Sequence, residues 1–127
     1  MKNAEAIPAR QLICLLEDTA ARLPADLAAI RLLARHGRIL HQPGFRRLIA
    51  AGSSIYTGEP VTVIRWRAAI HALDTGWLPC PAGDAAVLRI AASLGDQTIP
   101  VHLRPALADL DRRTIALVTA AITTASS

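Results

Sequence analysis

The stretch VTVIRWRAAIHALDTG, residues 61–76, is the one segment of the chain whose pattern fits both a strand and a helix. Its opening residues are mostly β-branched and would suit a strand, whereas Val63, Trp66 and Ile70 recur at the spacing of one helical face. No second strand-like run is evident for pairing, and an isolated strand would leave backbone groups without hydrogen-bond partners. The pattern therefore predicts a helix over this stretch.

The N-terminal third carries clear helix signals. Residues 8–23 open with a proline and repeat leucine at helical spacing. Residues 24–37, PADLAAIRLLARHG, have proline first, an acid in the first turn, a basic pair at the end and then Gly37. This order is the one that helix-end geometry and the helix dipole favour. Two consecutive helices are predicted here.

Two shorter helices follow on either side of residues 61–76. One is predicted from Pro43 to Gly52, before the turn-rich loop GSSIYTGEP. The other, the fifth helix, is predicted after the rigid corner that Trp77 and the two prolines of WLPCP form, within residues 77–95. Both segments have the amphipathic spacing of helices that pack on a core.

The C-terminal part is interrupted by prolines. Pro100 and Pro105 exclude one long helix, so an extended link and one or two short turns are expected there. Asp111 suits the N-cap of a last helix, while residues 123–127 are expected to fray. The apolar face of that helix is predicted to consist of Ile115, Val118 and Ile122, with Leu117 and Ala121 alongside.

The composition also favours helices. Hydrophobic residues make up 52% of the chain and aromatic residues only 3%, so much of the core must be built from alanine and leucine. At 127 residues the chain is long enough for one core. The predicted fold is an all-α, compact single-domain bundle of about six helices with irregular crossings, spanning residues 1–127.

Charge and cysteine content say less about partners and location than the helix pattern says about the fold. Fourteen basic residues, all arginine except Lys2, stand against ten acidic ones, a modest excess of +4. Two cysteines in a chain whose N-terminus lacks an apolar leader favour a reducing, cytoplasmic location. The longest uncharged run, residues 114–127, is shorter than the roughly 20 residues of a membrane-spanning helix. No membrane span is predicted.

The basic residues are unevenly distributed, because no acidic residue occurs between Asp26 and Glu59. If the second helix continues far enough, spacings of four and three place three arginines of this interval on one face. Such a stripe fits a nucleic-acid backbone or an acidic protein; alternatively, it is a solvated face whose arginine stems cover apolar surface. The candidate contact residues are Arg31, Arg35, Arg38, Arg46 and Arg47.

Cys80 lies between two prolines. With Pro81 at the first helical position, Cys80 would be the N-cap of the fifth helix, where the helix dipole lowers a thiol pKa and Asp84 opposes that effect. The alternative is a small apolar residue packed under Trp77. Cys14, within LICLL, is predicted to lie in the core.

The remaining polar patterns predict no catalytic residue, metal site or cofactor. His36 and His41 lack the close cysteine pair of finger-type zinc sites. Asp109 and Asp111 are accounted for by helix capping and nearby arginines. Two prolines interrupt the segment that would have to be the recognition helix of a helix-turn-helix motif.

The segments WRAAIHALDTGWLPC, VLRIAASL, IPVHLRPALADLDRR and IALVTAAI, from Trp66 onward, resemble the C-terminal part of small uncharacterised proteins from high-GC bacteria. This resemblance covers about half of the chain. It implies that the segment around Cys80 belongs to a recurring structural unit, and it implies no activity.

Three functional hypotheses follow. The first is a non-enzymatic accessory or adaptor protein that associates with itself or with a protein partner through apolar helix faces, with the Arg31–Arg47 region as its polar contact surface. The alternative is a protein that binds nucleic acid sequence-independently through that region. The third is a thiol-based sensor or enzyme at Cys80.

Overall fold

The computed structural model describes residues 2–3 and 5–127 and shows a mostly helical protein with one small sheet. Helical content was predicted, and it is confirmed; the all-α class was wrong, because three strands form an antiparallel sheet in the order β1-β2-β3. The elements are β1 (Lys2–Asn3), α1 (Ala9–Ala20), α2 (Pro24–His36), a 3-10 turn (Ile39–His41), α3 (Pro43–Arg46), β2 (Ile49–Ser53), β3 (Pro60–Ile64), α4 (Trp66–Asp74), α5 (Ala82–Gly95), α6 (Leu103–Ala108) and α7 (Arg112–Ala125).

The sheet overturns the helix predicted for the start of residues 61–76. β3 pairs with β2, with Val63 opposite Ala50 and Val61 opposite Gly52. The partner strand is hidden in IAAGS, whose alanines and glycine have low strand propensity. The same segment had been assigned to the third helix, which ends at Arg46 instead of Gly52. Pairing gives both strands the backbone partners that an isolated strand would lack.

α1 has one buried side, as its leucine spacing predicts, but Cys14 was assigned to the wrong side. Leu12, Leu16 and Ala20, spaced by four residues, are buried against the core. Cys14 is exposed, so its placement in the core was wrong. Two residues along a helix correspond to about 200° of rotation, which carries Cys14 to the side opposite Leu12 and Leu16.

α2 is the central helix of the fold. It has Pro24 in its first turn and ends at Gly37, whose φ of +85° is the left-handed conformation common after helix ends. Both ends were predicted and are confirmed. α2 packs against α1, α5 and α7, and the small side chains of Ala28 and Ala29, fully buried, permit this close approach.

The side chain of Trp66, the first residue of α4, lies directly against Gly95, the last residue of α5. A Cβ added at Gly95 would overlap the indole atoms of Trp66, so this contact requires a glycine. It joins the chain just after the hairpin to the end of α5.

The C-terminal helix is capped as predicted but rotated from the predicted face. The Asp111 side chain accepts a hydrogen bond of 2.8 Å from the Thr114 backbone N–H, which confirms the N-cap. Ile115 and Ile122 are exposed, so two of the three residues predicted for the apolar face were wrong, whereas Ala121 and Leu117, predicted alongside them, are buried and packed against the core respectively. The buried residues of α7 are Thr114, Val118 and Ala121.

The last helix reaches close to the C-terminal end of the chain. α7 continues through Ala125, within the segment 123–127 that was expected to fray. Among the described residues, no helix combines the length and apolarity needed to cross a membrane.

Candidate functional site

The tip of the β2–β3 hairpin, residues 54–59, presents two large side chains to solvent. Ile55 and Tyr56 are each 90% exposed. The chain has only four aromatic residues, and Tyr56 is the one tyrosine. Folding leaves these two side chains uncovered, although burial of apolar surface is the main driving force of folding. The hairpin tip is therefore the most exposed apolar feature of the described surface.

The backbone of the hairpin tip is held in one shape by local hydrogen bonds. The Ser54 N–H donates to the Glu59 carbonyl at 2.8 Å, and the Gly58 N–H donates to the Ser54 carbonyl at 2.9 Å. The Ser54 hydroxyl oxygen accepts from the N–H groups of Tyr56 and Thr57 at 3.2 and 3.4 Å. Gly58 adopts a φ of +73°, which a glycine tolerates without strain. A turn fixed in this way loses little further conformational freedom on binding.

A groove adjoins the hairpin tip. Its first part, about 670 Å³, lies between the hairpin and the end of α1. Its second part, about 250 Å³, shares Thr19 and Leu23 with the first and reaches the start of α2. We call the two parts together the α1–β3 cleft. The second part is lined mainly by apolar side chains, among them Leu16, Ala20, Leu23, Ile30, Ile64 and Trp66.

The free edge of β3 in this cleft is covered by a side chain. The Thr62 backbone N–H, which points away from β2, donates to the Thr19 hydroxyl at 2.9 Å. An added peptide strand would have to displace Thr19 from this N–H, which disfavours strand addition at this edge. A molecule bound in the cleft would therefore contact side chains, because the Thr19 hydroxyl already occupies the Thr62 N–H at the edge of the sheet.

The charges of the α1–β3 cleft are mainly negative. Asp26 lines the second part, and burial raises the pKa of its carboxyl group. Asp18, Glu59 and Arg22 line the first part. None of the three carboxylates forms an ion pair with another residue in the described part of the chain. The cleft is thus an acidic surface on a chain whose net charge is +4.

The predicted arginine stripe is only partly assembled. Arg31 and Arg35 both lie on α2, with Arg35 exposed. Arg38 lies beyond the helix end at Gly37, and its guanidinium is 3.8 Å from the Asp84 carboxylate. The condition that the second helix continues to Arg38 is therefore not met.

Arg46 and Arg47 are engaged by the N-terminal segment. The Arg46 Nε donates to the Leu40 carbonyl at 2.8 Å, and its Nη1 donates to the Ile7 carbonyl at 3.0 Å. Arg47 forms an ion pair with Glu5. These contacts tie the segment before α1 to the C-terminal end of α3, which is a structural role for both arginines.

A polar cavity of about 100 Å³ lies where α2 ends and α5 and α7 begin. Its lining includes His36, Arg38, Asp84, Asp111 and Arg113. His36 and Asp84 are nearly buried there, with 7% of each side chain exposed. Sequence analysis treated His36 only as half of a rejected zinc pair, because chain spacing cannot show that Asp84 lies beside it.

Cys80 lies in a half-buried corner and is not a helix cap. Pro81 is the N-cap of α5, one residue later than predicted. The Cys80 sulfur is 3.8 Å from the Gln42 Nε2. The pKa of the Cys80 thiol is raised, mainly because the thiol is partly buried. The hydrogen bond with Gln42 lowers this pKa, and the negative charge of Asp84 raises it further. A raised pKa leaves less reactive thiolate at neutral pH.

The described residues contain no group of three or more His, Cys, Asp or Glu side chains placed to hold a metal ion. No family model, no curated protein and no solved structure matches the chain.

Sequence analysis missed the hairpin tip because it assigned residues 52–60 to a loop and residues 61–66 to a helix. One signal was present: an isoleucine and a tyrosine at the centre of a turn-rich segment, where polar residues are usual. Asp26 was noticed only for its position in the first turn of a helix.

Proposed function

We propose that this protein is a non-enzymatic binding protein that recognises a protein partner through the hairpin tip. The observation that carries the proposal is the pair Ile55 and Tyr56, each 90% exposed on an internally hydrogen-bonded turn. Tyrosine is enriched among the residues that dominate binding energy at interfaces, and a preformed turn reduces the entropy lost on association. The general hypothesis of an accessory or adaptor protein is retained, with a hairpin in place of a helix face.

The hairpin tip can be tested against the helix face that the first hypothesis favoured. One variant carries Ile55→Ser and Tyr56→Ser, and the control carries Ile115→Ser and Ile122→Ser, which removes the exposed apolar pair of α7. Because all four side chains are exposed, each single change is expected to alter the free energy of unfolding by about 0.5 kcal/mol or less. Circular dichroism and thermal unfolding check that both variants fold.

Association is then measured in two ways. Sedimentation velocity over a hundredfold concentration range reports self-association, and quantitative mass spectrometry of proteins bound in native-host extract reports other partners. A photo-crosslinking amino acid at position 56, with one at the exposed position Ala116 as control, identifies the protein that contacts the tip. If the partner identified by the crosslink no longer binds the tip variant but still binds the α7 variant, the proposal is supported. Loss from the α7 variant alone, or no crosslink specific to position 56, overturns it.

A second candidate function is sequence-independent nucleic-acid binding. The observation that favours it is that Arg31 and Arg35 form no ion pair within the described residues, although both lie on the central helix. Arg113 lies near the C-terminal end of α2, because it lines the same cavity as His36 and Arg38. A cationic surface of this kind follows a phosphate backbone through Coulomb attraction.

This candidate predicts binding that falls steeply with salt. Fluorescence anisotropy with a 20-base-pair DNA duplex and a single-stranded RNA, from 20 to 200 mM salt, measures the dependence. Replacing Arg31, Arg35 and Arg38 with alanine should reduce the slope of log K against log salt by about 0.9 for each phosphate of duplex DNA that is no longer neutralised. Arg104→Ala, at an exposed position on α6, is the control. Absence of binding at 20 mM salt, or equal slopes for all variants, excludes it.

A further inference from the structure

The part of the α1–β3 cleft next to Asp26 has the size and lining of a pocket for one side chain. Its volume, about 250 Å³, lies just below the roughly 300–1,000 Å³ of sites for drug-sized ligands. Trp66 forms part of the wall and is held in place by its contact with Gly95. The side chains of Leu16 and Leu23 contribute apolar surface.

The charge in this pocket has no counterpart in the described part of the protein. Asp26 is the one ionisable residue of its lining, and no cation there pairs with it. Its position in the first turn of α2 places it near the positive end of the helix dipole, which favours the charged carboxylate. Burial opposes this, since the raised pKa of Asp26 reports a carboxylate that is incompletely solvated. A cation bound there would compensate for the missing solvation.

The outer part of the cleft has the same sign of charge. Asp18 and Glu59 line it together with Arg22, so the whole cleft holds three carboxylates and one guanidinium. A segment that crosses the cleft toward the hairpin tip therefore meets a negative surface with an apolar pocket beneath it. Complementary charge steers such partners and selects against acidic ones.

We infer that the α1–β3 cleft receives a basic side chain, arginine or lysine, from the protein partner, with its cationic group at Asp26 and its apolar stem against Trp66 and the neighbouring leucines. Arginine suits this site best, because its planar guanidinium pairs with carboxylates and stacks on aromatic rings while its methylene stem covers apolar surface. The inference rests on the proposed function, since it names the chemistry of the partner that the hairpin tip contacts.

The fluorescence of Trp66 reports directly on ligand binding in the α1–β3 cleft. Trp77→Phe leaves Trp66 as the one tryptophan, so fluorescence excited at 295 nm follows the cleft alone. The probe is N-acetyl-arginine amide, and its control is N-acetyl-citrulline amide, which has nearly the same shape without the charge. Arginine amide should bind at millimolar concentration and citrulline amide about tenfold more weakly or worse.

Substitutions then test whether the carboxylate of Asp26 binds the cationic group of the probe. Asp26→Asn should weaken arginine amide about tenfold, while Asp109→Asn, an equal change of charge at an exposed residue outside the cleft, should leave the dissociation constant unchanged. Binding should also weaken as acid protonates Asp26. Equal binding of arginine and citrulline amides, or an Asp26→Asn variant that binds as well as the parent, overturns the inference.

The two proposals fail separately. The probe experiment needs no partner. If Trp66 fluorescence does not respond to arginine amide, the inference of a basic side chain in the cleft fails, whereas a crosslink at the hairpin tip would still support the proposed function. If Trp66 fluorescence responds but no crosslink forms at position 56, the inference about the cleft is supported and the proposed function of the hairpin tip is overturned. If arginine amide dissociates a homodimer, the side chain belongs to a second copy, and the inference of a separate partner is overturned.

Discussion

The Nε2 atom of His36 lies 3.4 Å from the Oδ1 atom of Asp84, within a cavity formed by the end of α2 and the beginnings of α5 and α7. The other ring nitrogen, Nδ1, is buried without a hydrogen-bond partner among the described residues. With the proton on Nε2 facing Asp84, Nδ1 is an unprotonated acceptor. A second proton would have to be placed on this buried atom, which favours the neutral imidazole.

This geometry predicts a loss of stability in mild acid. Burial is the main cause of the lowered pKa of His36; Asp84 and Asp111 raise it, and Arg38 and Arg113 lower it. Because the folded-state pKa lies below the unfolded value of 6.5, the unfolded chain binds more protons as pH falls below about 6.5, down to the folded pKa. Stability is full above this window and decreases through it.

The test compares urea unfolding of the parent and His36→Gln between pH 7.5 and 5. Glutamine can donate to Asp84 and does not titrate, so the variant should have the smaller pH slope, while the other histidines contribute equally to both. Parallel slopes would show that His36 does not contribute to the acid sensitivity.

The contact between Trp66 and Gly95 predicts a second result. Gly95→Ala introduces a Cβ into the indole, so it should destabilise the protein by about 1–3 kcal/mol, although alanine is the better helix former. Trp66→Leu should remove the clash, so the double variant should cost less than the sum of the two single changes. Additive effects in thermal or urea unfolding would contradict the contact.

Arg46 and Arg35 should respond differently to the same substitution. Arg46→Ala removes hydrogen bonds from a charged group to the carbonyls of Leu40 and Ile7, and it should cost about 2 kcal/mol. Arg46→Lys should recover only part of this, because an ammonium cannot reproduce the guanidinium geometry. Arg35→Ala, at an exposed position, should change the free energy of unfolding by about 0.5 kcal/mol or less. Equal effects at both positions would argue against the structural role of Arg46.

The two cysteines provide an internal comparison of thiol reactivity. Burial raises the pKa of Cys80, whereas Cys14 is exposed on α1. Iodoacetamide at pH 7.5 should therefore modify Cys14 first, and Cys80 should reach a comparable rate only in denaturant. Peptide mass spectrometry after timed quenching measures both rates in one sample. Faster modification of Cys80 in the folded protein would restore the hypothesis of a thiol-based function.

The arginine interval shows how far charge patterns in the sequence can be taken. The absence of acids between Asp26 and Glu59 is a true feature of the chain, but it does not show which arginines are free. Arg46 and Arg47 are engaged by residues about forty positions away, near the N-terminus. Arg38 meets Asp84 from α5. These partners are remote in sequence, so residue spacing gives no information about them.

Local sequence was sufficient to predict three features: the start of α2 at Pro24, its end at Gly37 and the Asp111 cap of α7. The interactions responsible for them join residues no more than four positions apart, and local propensity is sufficient to predict them. Only the tertiary structure decided that residues 60–64 form a strand, because their partner in β2 is a weak strand former that becomes one through pairing and burial. That pairing also creates the hairpin tip and the α1–β3 cleft, so the candidate site exists only in the folded chain.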